Sequence, residues 1–150
     1  MKQRRLFLVM AAALLTGCAG SPPGFTGLVA PPTGKAVLYI YRTDYFAFAL
    51  GPWVGPKIRI NNYEEISPLI LMGYFRVVVE PGLVEVALLR GTWPADQNAY
   101  VNLYMDSDTT RFIELSLGKP HFNEILFSFR ETTQETAIPA LQKLRQLNPN

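Results

Sequence analysis

Cysteine and histidine are almost absent from this 150-residue chain, which contains one of each, Cys18 and His121. A single thiol excludes a disulfide within the chain and a metal site built from several thiolates. The lone histidine follows Pro120 in a turn-like segment, and the residues around it do not suggest the partners of a Ser-His-Asp triad. We therefore predict no metal, no cofactor and no catalytic triad.

Beyond Arg5 the chain has no cluster of basic residues. The formal charge of +2 depends on Lys2, Arg4 and Arg5, and it becomes −1 if these three residues are removed. A near-neutral chain without a basic patch lacks the electrostatic footprint of a nucleic-acid-binding protein. We predict that nucleic acid is not a partner.

Long apolar runs are missing as well. The longest, residues 6–15, has ten residues, half of the roughly 20 that a spanning helix needs. It follows three basic residues and precedes small residues, which is the order of a secretory signal. The pattern predicts a removed signal peptide of residues 1–17. The alternatives are cleavage one or two residues later and an uncleaved membrane helix.

Leu15, Thr16, Gly17 and Cys18 resemble the lipobox of bacterial lipoproteins. In that family the signal is cut before the cysteine, whose sulfur receives a diacylglycerol and whose amino group is acylated. The resemblance implies lipid attachment at Cys18, with acyl chains such as palmitate that bind the membrane at about 0.8 kcal/mol per buried methylene. The residue after the cysteine is Ala19 and not aspartate, which at this position resembles an inner-membrane retention signal. We therefore expect an outer-membrane anchor and a domain facing the periplasm.

Proline and glycine are concentrated between the anchor and the rest of the chain. Four prolines and three glycines within residues 21–34 resist both helix and sheet. We predict that residues 18–34 are the lipidated cysteine and a tether, of which residues 19–34 would reach about 50 Å if extended. The remaining 116 residues, 35–150, are the size of one domain.

Strand patterns fill most of that domain. Asn61 and Asn62 predict a turn, and Glu80, Pro81 and Gly82 predict a hairpin between their flanking strands. Short strands with turns about every ten residues predict a mainly β fold, an antiparallel β-sandwich of about seven strands. The predicted strands are residues 36–42, 57–60, 74–79, 83–89, 99–105, 111–117 and 122–129.

The C-terminal residues change period and predict one short helix. Thr132 and Glu135 have the spacing of a capping box. Pro139 is best tolerated in a first turn, which would place the start near Ala137. The apolar stripe either covers the sandwich or binds a partner groove, and it consists of Ile138, Leu141, Leu144 and Leu147.

The first strand resembles that of a known family. Residues 34–42 match the Gly-Lys-Ala-x-x-Tyr-x-Tyr-Arg opening strand of a widespread family of small bacterial lipoproteins. The resemblance implies an envelope lipoprotein with a β-sandwich-like domain, and it supplies no catalytic residue. This chain departs from the family at Thr43, at Asn61 with Asn62, and at Val84. Later matches are Gly73-Tyr74-Phe75, Pro81-Gly82 and Leu117-Gly118-Lys119.

Aromatic side chains crowd the loop of residues 43–56. Exposed aromatic groups are typical of binding anchors, so we predict that this loop contacts another envelope protein, and Trp93 could join the same surface. The alternative is that the rings fold inward and plug one end of the sandwich. The four aromatic residues are Tyr45, Phe46, Phe48 and Trp53.

Evidence for catalysis in the sequence is weak. Asp106 to Thr110 has the Asp-x-Asp-x-Thr shape of aspartate-nucleophile phosphatases, but the strands around it do not resemble their large α/β domain. The segment also fails as a calcium loop, because Arg111 and Leu117 replace the required glycine and glutamate, so a solvated hairpin turn is expected. We predict a noncatalytic interaction or structural module. The alternatives are a small-ligand-binding protein and an envelope hydrolase using Glu64, Glu65, Asp106 and Asp108.

Overall fold

The structure is a computed structural model that describes residues 23–43, 56–61, 63–66, 72–89, 99–117 and 127–147. Within these ranges the chain forms nine strands and one helix. In chain order they are β1 (Ala36–Tyr41), β2 (Ile58–Ile60), β3 (Tyr63–Ile66), β4 (Gly73–Val79), β5 (Gly82–Leu88), β6 (Tyr100–Met105), β7 (Thr110–Leu117), β8 (Phe127–Thr132), α1 (Gln134–Leu141) and β9 (Arg145–Gln146).

The strands form two sheets that pack face to face. One sheet has five strands in the order β8-β7-β1-β4-β9, and the other has four in the order β3-β2-β5-β6. The predicted mainly β sandwich with a short C-terminal helix is confirmed. Most neighbouring strands are antiparallel, but β1 and β7 are parallel, as are β4 and β9. The five-stranded sheet is therefore mixed.

Apolar side chains from both sheets fill the space between them. Leu38 and Ile40 of β1 meet Val84 and Val86 of β5 in one cluster with Ile113 of β7, and all five are at most 1% exposed. Burying a side chain of this kind stabilises the fold by about 1.5 to 3 kcal/mol. Every second side chain of a strand points to the same face, so alternate residues of each strand fill this core.

Two short turns cross between the sheets. β4 belongs to the five-stranded sheet and β5 to the four-stranded sheet, so the predicted hairpin around Pro81 was wrong. Gly82 has a φ of 125°, and a compact turn of this kind serves a crossing as well as a hairpin. The exposed turn from Asp106 to Asp108 also crosses, from β6 to β7, so it is solvated as expected but is not a hairpin.

The predicted turn at Asn61 is confirmed and is held by the neighbouring strand. Asn61 has a φ of 51°, a conformation that asparagine tolerates better than most residues. Its Oδ1 accepts a hydrogen bond from the Glu85 backbone N–H at 2.8 Å, and its own N–H donates to the Glu85 carbonyl at 2.8 Å. Two strands were not predicted, β3 directly after this turn and the two-residue β9.

The N-cap of helix α1 is Thr133, one residue after the predicted cap Thr132. The carboxylate of Glu135 accepts hydrogen bonds from its own backbone N–H and from the Thr133 hydroxyl, which together lower the pKa of Glu135. Pro139 lies inside the helix, so the prediction that it moves the start to about Ala137 was wrong. Burial of Ala137 against the sheet opposes the loss of the proline hydrogen bond.

Aromatic rings and α1 cover the outer face of the five-stranded sheet. Tyr39 stacks on Phe112 with ring centroids 5.6 Å apart. Phe25 contacts Tyr39 and Tyr74 edge-on, at centroid distances of 6.2 and 5.9 Å. The expected tether therefore contacts the sheet within residues 23–34. Leu141 and Leu144 of the predicted apolar stripe cover this layer together with Ala137, and Leu147 packs against the core between the sheets, so the stripe has the first of the two roles predicted for it.

Two tyrosines of this layer ionise with difficulty. Burial raises the pKa of Tyr41, and a hydrogen bond at 3.0 Å with the Thr132 hydroxyl opposes that rise. Burial also raises the pKa of Tyr74. Removing water from around a phenolate disfavours the charged form, so both side chains stay protonated in the folded protein at a pH where exposed tyrosine loses its proton.

We expect the free energy of unfolding to fall as the pH rises above about 10, the pKa of an exposed tyrosine. Tyr41 and Tyr74 keep their protons in the folded chain but lose them in the unfolded chain, so this stabilisation is complete below that pH and disappears as the pH passes the raised pKa values. Urea unfolding near neutral pH and at about pH 11 should show a smaller decline for Tyr41→Phe than for wild type. Equal declines would contradict the assignment.

Candidate interaction surface

The predicted site residues lie outside the described residues. These are the lipobox residues Leu15, Thr16, Gly17 and Cys18, and the loop aromatics Tyr45, Phe46, Phe48 and Trp53. Trp93 and His121 lie outside them too. The interaction predicted for the aromatic loop, and its alternative of an inward plug, therefore stay predictions.

The strand that leads into the aromatic loop ends in a buried cation. Arg42 is 1% exposed, and its guanidinium carbon lies 5.3 Å from the ring centroid of Phe127. The next residue, Thr43, donates its hydroxyl hydrogen to Glu114 Oε1 at 2.9 Å, and Arg130 donates to Glu114 Oε2 at 2.5 Å. A guanidinium over an aromatic face is a favourable arrangement. These contacts hold the chain where the loop begins.

Large apolar side chains are exposed on the outer face of β5 and β6. Leu83 is 70% exposed, Tyr104 is 63% exposed and Tyr100 is 62% exposed, the three highest values among the large apolar residues of the described ranges. Leu83 and Tyr104 are directly opposite each other in the antiparallel register, so their Cβ atoms lie about 5 Å apart. We call these three residues the β5–β6 surface.

The sequence of β6 explains why these rings point outward. Leu103 and Met105 are buried in the core, so their neighbours Tyr104 and Asn102 must face away from it. This alternation was a usable signal for the β5–β6 surface. Periodicity alone does not say whether another layer covers the outward face, so it does not predict which outward-facing rings are exposed.

Polar groups and an open hollow border this surface. The Arg59 guanidinium donates to Glu85 Oε1 at 2.7 Å. Both side chains are about 40% exposed, so this ion pair contributes about 1 kcal/mol or less. A hollow of about 400 Å³ is lined by Arg59, Glu85, Leu88 and Tyr100, together with neighbouring aliphatic residues. Aromatic, aliphatic and charged groups therefore lie side by side at this part of the sheet.

The backbone positions of the residues proposed for a hydrolase lie at opposite edges of the four-stranded sheet. Glu64 and Glu65 lie on β3 and the turn of Asp106 and Asp108 follows β6, and these strands are the opposite edges of one sheet. Three strand spacings separate them, about 14 Å. Asp108 Oδ1 accepts a hydrogen bond from the Gly34 N–H at 3.0 Å. Within the described ranges, no group of three acidic, histidine or cysteine side chains is placed to hold a metal ion.

No protein-family model matches the chain, and a search of curated proteins finds no match. Among the described residues, no helix has the length and apolar character needed to cross a membrane.

Two leucine-to-alanine variants test whether the β5–β6 surface serves folding. Leu38 is 0% exposed and Leu83 is 70% exposed, and both lie in strands. We expect Leu38→Ala to lower the free energy of unfolding by about 2 to 5 kcal/mol because it leaves a cavity, and Leu83→Ala to change it by about 0.5 kcal/mol or less. Urea unfolding measures both. A large loss in Leu83→Ala would mean that Leu83 is needed for stability.

Proposed function

We propose that the protein is a lipid-anchored lipoprotein of the bacterial envelope whose domain is a noncatalytic interaction module. Acyl chains on Cys18 hold it in the outer membrane, with the domain facing the periplasm. The β5–β6 surface contacts another envelope protein, and the aromatic loop of residues 43–56 is a second candidate contact. Support for the anchor comes from the lipobox resemblance.

One observation supports the interaction surface above all. Leu83, Tyr100 and Tyr104 expose more than half of their surface, although they lie on strands whose alternate residues are buried in the core. Aromatic groups of this kind are enriched where proteins bind one another, because they bury a large area with little loss of side-chain freedom. Exposed apolar groups next to each other are an aggregation hazard unless a partner covers them.

A small-ligand-binding protein is the second candidate function. The hollow beside Tyr100 has a volume of about 400 Å³, within the range of ligand pockets. Arg59 and Glu85 could orient a polar ligand there. The interaction module ranks first because the highest apolar exposure, at Leu83 and Tyr104, lies outside the hollow.

The anchor is tested by intact mass and membrane fractionation of the wild type beside Cys18→Ala. We expect the wild type in outer-membrane fractions, with the mass of a chain that begins at acylated Cys18. The variant has no thiol for the diacylglycerol and should stay unprocessed. A soluble periplasmic chain of unmodified mass would refute the anchor.

The interaction surface is tested by photocrosslinking in cells. A photoreactive phenylalanine replaces Tyr104, and the control replaces Val78, which is 43% exposed on the other sheet. We expect an adduct with a second protein from position 104, none from position 78, and a several-fold weaker adduct when Leu83→Ser is added. Equal labelling at both positions, or no adduct at position 104, would contradict a contact surface there.

A further inference from the structure

Residues 23–34, which we call the docked segment, run along the five-stranded sheet. At its start the Gln146 backbone N–H donates to the Pro23 carbonyl at 3.0 Å, and Gly24 forms an antiparallel bridge with Arg145. Farther along, the ring of Phe25 packs against two tyrosines, and the Val29 N–H donates to the Tyr39 hydroxyl at 3.4 Å. The segment is attached at several points along its length.

These contacts give the docked segment a direction. Pro23 lies beside β9, which pairs with β4 at Gly73, so the segment starts at the end of the sheet where β4 begins. We call this the Gly73 end. Gly34 is bonded to Asp108, just before β7 begins, so the segment finishes at the opposite end, where β1 and β7 begin. We call this the Asp108 end. The chain that precedes Pro23 therefore leaves the domain at the Gly73 end.

The chain between Cys18 and Pro23 is short. Five residue steps separate Cys18 from Pro23, and a fully extended chain of five residues spans at most about 18 Å. A free tether through residue 34 would instead have reached about 50 Å. Docking therefore brings the Gly73 end within about 18 Å of an anchor on Cys18.

Charge differs between the two ends of this sheet. Lys143 and Arg145 are exposed beside the start of the docked segment. At the Asp108 end, exposed Asp106 and Asp108 lie near Glu80, which forms an ion pair with Lys35. A lysine or arginine near an anionic lipid surface gains about 1 kcal/mol, whereas carboxylates are repelled. The charges favour the same orientation as the chain path.

We propose that the docked segment is a fixed spacer that holds the domain directly on an anionic lipid surface, with the Gly73 end towards the lipid. Lys143 and Arg145 face the phosphate headgroups, and the Asp108 end points away from them. This inference rests on the proposed anchor at Cys18. The Arg42 N–H donates to the Gly73 carbonyl at 3.1 Å, so the aromatic loop of residues 43–56 begins at the Gly73 end. This orientation leaves the β5–β6 surface, on the other sheet, as the contact that is open to a protein partner.

Two single-cysteine variants test the orientation. Gln142, three residues before Arg145, and Ser107, at the Asp108 end, are both exposed. Cys18 is the only natural cysteine, so in acylated protein the introduced thiol alone reacts with a fluorophore. The labelled proteins are placed in vesicles of phosphatidylethanolamine and phosphatidylglycerol that contain headgroup spin-labelled lipid. We expect Gln142→Cys to be quenched several-fold more strongly than Ser107→Cys. Equal quenching, or stronger quenching of Ser107→Cys, overturns the proposal.

A lengthened chain is the matched control. Ten glycine and serine residues inserted between Ala19 and Pro23 keep the docked contacts but allow the domain to leave the lipid, so the difference between the two labels should largely disappear. A difference that survives the insertion overturns the role of the spacer. Intact mass is measured first: an unacylated chain refutes the anchor and the inference together, whereas an acylated chain without preferential quenching refutes only the inference.

Charge is tested separately in the uninserted chain. Lys143→Gln changes the charge by −1 at the Gly73 end, and Gln134→Glu makes the same change at exposed Gln134 in the first turn of α1. We expect the quenching ratio of the two labels to fall in Lys143→Gln and to stay near the wild-type value in Gln134→Glu. Equal ratios in both variants would overturn the contribution of Lys143 to lipid contact.

Discussion

The structure depends on the burial of both faces of β1. All six residues of this strand are at most 1% exposed. Leu38 and Ile40 face the four-stranded sheet, while Tyr39 and Tyr41 face the outer layer. A strand that is buried on both faces needs a covering layer over each face. The second sheet supplies one layer, and α1 with the docked segment supplies the other.

The outer face of one sheet is covered, and the outer face of the other sheet carries exposed apolar side chains. The five-stranded sheet is covered by α1 and by Phe25, so the N-terminal segment is part of the fold. On the four-stranded sheet, Leu83 and Tyr104 stay exposed. This asymmetry separates two roles in our proposals. The covered sheet carries the segment that leads to the anchor, and the other sheet presents apolar groups to a partner.

The strands were predictable to the extent that their patterns are local. β1, β6 and β7 agree with their predicted bounds to within one residue at each end, because alternation and β-branched or aromatic residues are read from neighbouring positions. Their partners were harder to predict. The turn at Pro81 is compact in the sequence, yet it joins different sheets, and a turn motif carries no information about which strand lies alongside. The two-residue β9 pairs with Gly73 across 72 positions, which no local pattern reveals.

By itself the sequence determined the strand-rich composition and the helix near the C-terminus, because each depends on residues close together in the chain. Only the tertiary structure decided which aromatic groups are exposed. Tyr39 and Tyr104 both point away from the core between the sheets, but Tyr39 is 1% exposed and Tyr104 is 63% exposed. The difference arises because Phe25 and α1 cover the five-stranded sheet, which carries Tyr39. Burial by a segment that is distant in the chain is not encoded in the alternation of a strand.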